Sequence, residues 1–263
     1  MAESTLSLTW DDMKQAVGFF LGYGSTIANW TEAQEGEIED IVQSGYRRVL
    51  YPPASQGIPA GYEWSFLQPT KSLDIVADDG DYDLPDDYGN IVGKFHYEAD
   101  EHYPAIRIIS VAQLLDMRSA SDMNGHPACA AIRPKSSDGS DGQRWEVLFY
   151  PEPDADYSLH YTYDAYRDQL SDDYPYLIGG MKMSELYKES CLSVAECRNT
   201  DVPGTHTALF ERLLVDAVAR DMKTGARNFG HMGQPREHGR ERFQRGRSLH
   251  DGAYEITYHG ERI

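Results

Sequence analysis

A chain of 263 residues, 40% hydrophobic and 11% aromatic, is long enough for one large domain or two small ones and apolar enough to fill a core, which excludes wholesale disorder. Asp and Glu outnumber Lys and Arg by 43 to 24, a formal net charge of −19; so acidic a surface does not grip nucleic acid, because phosphate binding needs surplus cations. The longest apolar stretches, such as residues 17–21, fall far short of a bilayer span, and no basic stretch precedes an apolar one near the start, so neither a membrane helix nor a signal peptide is expected.

Residues 1–56 read as helical. Thr9 with Asp12 three residues on is a capping signal, and Met13, Val17, Phe20 and Leu21 follow on one face until Gly22-Tyr23-Gly24-Ser25 breaks the helix. Thr31 with Gln34 is a second capping box. Glu32, Glu35 and Glu37 suit the positive end of the helix dipole. Ile38, Ile41, Val42, Gly45, Tyr46 and Val49 recur at steps of three and four, the clearest stripe in the chain, and Pro52-Pro53 ends it.

From residue 57 to 174 the period becomes two. Strands are expected at 63–68, 72–76, 91–97, 105–110, 128–133, 144–150 and 157–166, with a short helix at 111–117. Turn-forming stretches such as Asp78-Asp79-Gly80-Asp81 and residues 138–142 and 151–156 separate them. Seven short strands with close turns predict an antiparallel β-sandwich or barrel.

Residues 175–225 turn helical again. Met183, Leu186, Tyr187, Ser190, Cys191, Val194 and Ala195 make one stripe. Pro203-Gly204 interrupts it, Thr205 or Thr207 restarts it, and Leu209, Phe210, Leu213, Leu214, Ala217 and Val218 make another. Neither end of the chain carries enough apolar stripe to pack alone. The expected fold is therefore α+β: a four-helix bundle built from 1–56 and 175–225, with the β domain 57–174 inserted.

Residues 226–263 differ in kind, and an extended C-terminal tail is expected. Seven arginines face five acids there, which leaves residues 1–225 at −21. Tyr254, Ile256 and Tyr258 alternate with Glu255 and Thr257 and predict a strand with no local partner.

The signatures of chemistry are missing. No phosphate loop, nucleophile elbow or zinc-protease motif occurs, and Gly22-Tyr23-Gly24 lacks the third glycine of a dinucleotide fingerprint. The acids Asp78, Asp79, Asp81, Asp83, Asp86 and Asp87 invite a calcium loop, but Leu84 and Asn90 stand where Gly and Glu are needed, and a solvated turn is the simpler reading. Cys129, Cys191 and Cys197 cannot all pair within one chain, and Cys191 belongs to an apolar stripe, so free thiols are expected. A Cys129–His126 pair has no visible orienting group. His96, His102 and His160 fall among the strands and could approach one another; a hydrolase using Asp83, Asp86 and His96 has no spacing to support it. Tyr157, Tyr161 and Tyr163 share a strand face, which suits a sheet core or an interface better than a sugar-stacking platform. No catalytic, cofactor-binding or metal site is expected.

Three segments matter together. The first runs Ile38-Glu39-Asp40-Ile41-Val42-Gln43-Ser44-Gly45-Tyr46-Arg47-Arg48 and closes on Tyr51-Pro52-Pro53. The second is Tyr62-Glu63-Trp64-Ser65-Phe66-Leu67-Gln68-Pro69, followed by Tyr82-Asp83-Leu84-Pro85-Asp86-Asp87-Tyr88-Gly89. The third is Leu170-Ser171-Asp172-Asp173-Tyr174-Pro175-Tyr176-Leu177-Ile178-Gly179-Gly180. In this order, over about residues 30–225, they resemble the head-to-tail adaptor (connector) proteins of tailed double-stranded DNA bacteriophages. The resemblance implies a structural, non-enzymatic protein of the virion neck, made in the bacterial host cytoplasm. It would form a homo-oligomeric ring of twelve copies beneath the portal protein, with its helices toward the portal and its β domain toward the tail. DNA would pass through without specific binding, as an acidic lumen allows. A tail-side stopper or tail-completion protein is the nearest alternative, and a carbohydrate- or receptor-binding module the next. The tail has no matching motif. Its Arg240, Arg242, Arg245 and Arg247, the apolar anchor Phe243, and the strand positions Tyr254, Ile256 and Tyr258 are expected to dock on the portal or on a neighbouring subunit.

Overall fold

The computed structural model describes residues 4–121, 123–136, 140, 142–224, 257–258 and 261–262. The chain divides into two compact units, residues 1–222 and 223–263. The first is a mixture of helices and two sheets. Helix α1 (Trp10–Phe20) and helix α2 (Glu32–Leu50) begin at the capping boxes that the sequence marks: Thr9 with Asp12, and Thr31 with Gln34. Strands follow as β1 (Thr70–Ile75), β2 (Asp81–Asp83), β3 (Tyr88–Tyr97) and β4 (Arg107–Ile108). Helix α3 (Val111–Ala120) leads to β5 (Cys129–Pro134), β6 (Trp145–Tyr150) and β7 (Tyr157–Ala165). Helices α4 (Ser184–Thr200) and α5 (Thr205–Thr224) close the series.

One apolar cluster holds the helices. It takes Met13 and Val17 from α1, Ile38, Ile41, Val42 and Val49 from α2, Leu186, Tyr187 and Cys191 from α4, and Phe210, Leu214 and Val218 from α5. The α2–α4 crossing is close because Gly45 has no side chain: a Cβ there would meet the Cys191 Cα at 2.7 Å. Ser190 Oγ uses that approach to donate to the Gly45 carbonyl at 2.8 Å. The Arg48 guanidinium lies 4.9 Å from the centre of the Phe210 ring, tying α2 to α5.

The sheets are ordered β1-β7-β3 and β2-β6-β5-β4. A second apolar cluster draws on both, joining Ile75, Phe95, Leu159, Tyr161 and Tyr163 to Ala130, Val147 and Phe149. Phe149 meets Phe95 edge-on at 5.4 Å.

Four expectations need correction. Residues 63–68 form no strand; Ser65–Leu67 is a 3₁₀ turn. There the apparent alternation of Trp64 and Phe66 is a stack of two rings 5.2 Å apart, with Trp64 Nε1 donating to the Val49 carbonyl at 2.8 Å. The second sheet is not wholly antiparallel: β4 runs parallel to β5, with α3 as the crossover that a parallel pair requires. Helix α3 itself runs to Ala120, and its start is a capping box, Ser110 with Gln113. Asp81–Asp83 is a strand rather than part of a turn, carried by its antiparallel pairing with β6.

In the second unit, β8 (Thr257–Tyr258) pairs antiparallel with β9 (Glu261–Arg262). The strand expected without a local partner therefore has one for its last two residues.

Candidate assembly surfaces

The three segments that carried the resemblance interlock. Gln43 of the first and Leu170 of the third exchange hydrogen bonds, Nε2 to the Leu170 carbonyl at 2.6 Å and Leu170 N–H to Oε1 at 3.2 Å. The second is seated by Trp64 on the end of α2. Its turn is held by Asp221 of α5, which accepts from the Tyr62 hydroxyl at 2.5 Å and the Ser65 N–H at 2.9 Å. Farther along, Asp87 accepts from the Tyr163 hydroxyl at 3.0 Å; burial and then that carboxylate hold Tyr163 protonated well above the ordinary tyrosine range. The third clamps the N-terminus of α1, with Trp10 N–H donating to the Pro175 carbonyl at 2.7 Å. It ends on Gly179 and Gly180, whose φ values of 95° and 73° favour glycine. These bonds make the three segments part of the scaffold, although Tyr174 and Tyr176 of the third remain exposed.

Three acids of the Asp-rich stretch are spent on ion pairs. Asp81 meets Arg118 at 2.7 Å and Arg133 at 3.9 Å, Asp83 meets Lys135 at 2.7 Å, and Asp86 meets Arg144 at 3.3 Å. Asp83 lies on β2, in a different sheet from His96 on β3, so the hydrolase trio is divided between sheets. His96 does stand opposite His160 in register, and His160 Nε2 is 3.8 Å from Glu98. Cys191 is buried, and burial pushes its thiol up to about 12, away from reactivity. Cys129 is buried with Arg107 Nη2 3.6 Å from its sulfur, whereas the His126 ring stacks on Tyr103. Tyr157, Tyr161 and Tyr163 are buried in the sheet cluster, so their faces are closed to a sugar.

Among the described residues, three groups of apolar side chains stand out at the surface. Leu6, Tyr174 and Tyr176 are exposed on the segments that meet at the start of α1, where Thr9 bridges to Tyr176. Helix α5 presents a groove of 580 Å³ lined by Leu209, Leu213, Val215 and Ala219 between Arg212 and Asp216. At the end of the sheets, Val76, Tyr103 and Met123 are exposed, and Tyr103 stacks on His126. In the sequence, Leu209 and Leu213 read as an inward stripe and Tyr174 and Tyr176 figure only within the resemblance, so none of the three is expected as a surface; for the last, an aromatic in an acidic stretch, Tyr103, is the available signal. Of the tail positions, Arg240, Arg242, Phe243, Arg245, Arg247, Tyr254 and Ile256 lie outside the described residues, and Tyr258 lies in β8, opposite Glu261. No helix among the described residues is long and apolar enough to cross a membrane.

A family model described as SU10 adaptor protein matches residues 8–234, a span that takes in every described helix and both sheets of the first unit. No curated protein matches the chain.

Proposed function

Because the chain belongs to the SU10 adaptor protein family, a family of structural phage proteins rather than enzymes, we propose that it is the virion component joining head to tail. The observation that carries this reading is the extent of the match, residues 8–234. In the proposed arrangement the helices form one bundle beneath the portal, the two sheets form a sandwich toward the tail, and about twelve copies close into a ring. A ring needs two complementary faces on each subunit, one for each neighbour. The groove on α5 and the exposed Phe19 on α1, 74% accessible, supply apolar surface of that kind. A formal charge of −19 per copy, repeated around a lumen, repels the duplex and lets it slide. The arginine-bearing tail is the exception. We assign it to docking on the portal or on the neighbouring subunit, where many copies add their binding through avidity.

Purified protein mixed with portal-bearing capsids tests the reading. The full chain should co-sediment with filled heads, and negative-stain images should show a ring beneath the portal. The chain lacking residues 226–263 should remain folded and lose attachment. Equal co-sedimentation of the truncated chain removes the docking role from the tail. Binding to the tail tube in place of the portal makes the protein a tail-side stopper. Duplex binding should be absent near physiological salt; tight binding that falls steeply with added salt contradicts a sliding lumen.

A further inference from the structure

At one end of the sheets, four connections are locked together by backbone and side-chain bonds. Asp78 N–H donates to the Pro153 carbonyl at 2.8 Å, Gly125 N–H to the Glu152 carbonyl at 2.8 Å, and Glu152 N–H to the Met123 carbonyl at 3.3 Å. Asn124 Nδ2 donates to Asp78, and Ala77 N–H donates to Asp156 at 3.0 Å. The 98–104 connection joins through rings. Tyr103 stacks flat on His126, centroids 4.4 Å apart and planes within 9°, and meets Tyr97 and Tyr157 edge-on at 5.2 and 5.9 Å. The Tyr97 hydroxyl reaches the Pro127 carbonyl at 2.7 Å.

So firm a platform leaves apolar atoms in water. Tyr103 is 39% exposed, Met123 49% and Val76 48%. Large side chains held rigidly at a surface cost little entropy when a partner covers them, which is how interface anchors behave. The charge around them is of one sign. Residues 76–80, 98–104, 123–127 and 151–156 contain Asp78, Asp79, Glu98, Asp100, Glu101, Glu152, Asp154 and Asp156, and no Lys or Arg. The flanking cations already have partners: Arg118 with Asp81 and the Gly80 and Phe149 carbonyls, at the edge of the patch, and Arg107 with the Cys129 sulfur. The same four segments also carry the imidazoles of His102 and His126.

A pair of exposed, stacked rings beside surplus carboxylates matches one side chain above others. Guanidinium is planar, stacks on aromatic rings and pairs with carboxylates through two parallel bonds; ammonium does neither as well. We propose that this end of the sheets is the docking surface for an arginine-bearing loop of the protein ring that follows on the tail side. The proposal rests on the adaptor reading above, which supplies the existence of that neighbour. It adds the face, the anchor residues Tyr103 and His126, and the chemistry of what meets them.

Two measurements test it on the full chain. First, the peptides acetyl-Arg-Gly-Arg-amide and acetyl-Lys-Gly-Lys-amide are titrated at physiological salt while the Tyr103 and His126 ring resonances are followed by NMR. The arginine peptide should shift both rings and bind several-fold more tightly than the lysine peptide; equal binding, or none at these rings, overturns the proposal. Second, heads carrying adaptor are mixed with purified tails, using wild type, Tyr103→Ala, and the double variant Asp100→Asn with Glu101→Gln. The double variant removes charge without touching the stacked rings, so a packing failure of Tyr103→Ala does not decide the outcome. Both variants should co-sediment with heads as wild type does and join tails at least about tenfold less well, the loss expected of a truncated anchor. Normal joining by the double variant overturns the docking surface while the adaptor reading stands. Lost attachment to heads, or a changed ring size by light scattering, assigns the face to the portal or to a second copy and overturns it too. If wild type fails to bind heads, the adaptor reading itself falls.

Discussion

The two apolar clusters of residues 1–222 are put together in opposite ways. The helical cluster gathers residues from Trp10 to Val218, and the polar bonds that knit it span most of the chain: Ser190 to Gly45, Tyr62 to Asp221, Leu8 to Ser184. The sheet cluster lies wholly between Ile75 and Ala165 and is joined mainly by rings, with Phe95, Tyr161, Tyr163 and Tyr88 in series at centroid distances of 5.0 to 5.7 Å. A cluster that needs both ends of the chain pays a large closure entropy before any contact rewards it. A cluster confined to an inserted stretch does not. The helical region should therefore be all-or-none, while the sheet region tolerates local loosening.

Three substitutions sharpen that contrast. The largest effect is expected for Val42→Asp, which puts an unpaired charge at a fully buried position of the helical cluster. It should cost several kcal/mol, roughly 3–5 or more, and abolish soluble expression; a variant that melts like wild type means that α2 does not hold the core. Phe149→Ala removes a fully buried ring from the sheet cluster and should cost about 3–5 kcal/mol in urea denaturation. Hydrogen exchange should show lost protection confined first to β3, β6 and β7; equal loss in α2 and α4 removes the contrast between the clusters. Thr31→Ala deletes the α2 cap and should cost about 1 kcal/mol, read as a small drop in Tm.

A pH effect is smaller and also belongs to the helical side. Glu196 accepts from Gly204 N–H at 3.0 Å and from Thr207 N–H at 3.1 Å, capping the start of α5 from α4. Burial works against its charge, but the hydrogen bonds from Thr207, His206 and Gly204 win and hold the carboxyl below the ordinary glutamate range. A carboxylate depressed in the folded state contributes stability above its unfolded value and loses it as pH falls through the folded one. Thermal stability should decline on the acid side of the ordinary glutamate range, and Glu196→Gln should flatten that part of the profile. An unchanged acid limb in the variant removes Glu196 from the cause.

What the sequence determined by itself is local. The capping boxes at Thr9 and Thr31, the stripe of α2 and its stop before Pro52 depend on side chains within a turn or two, where chemistry and spacing suffice. Most strands of the inserted region announced themselves in the same way, and the ordered segments pointed to the family before any contact was known. Reading failed where a residue's role is set by a distant partner. Trp64 and Phe66 alternate like a strand, yet a carbonyl on α2 and a carboxylate on α5 bend them into a turn. Asp81 and Asp83 look like turn acids or calcium ligands, yet β6 draws them into a strand and Arg118 and Lys135 neutralise them. Tyr103 and His126, 23 positions apart, carry no shared signal at all. Only tertiary structure brings their rings face to face, because stacking depends on where two connections end, and period-two alternation specifies which way a strand faces without saying which loops meet beyond it.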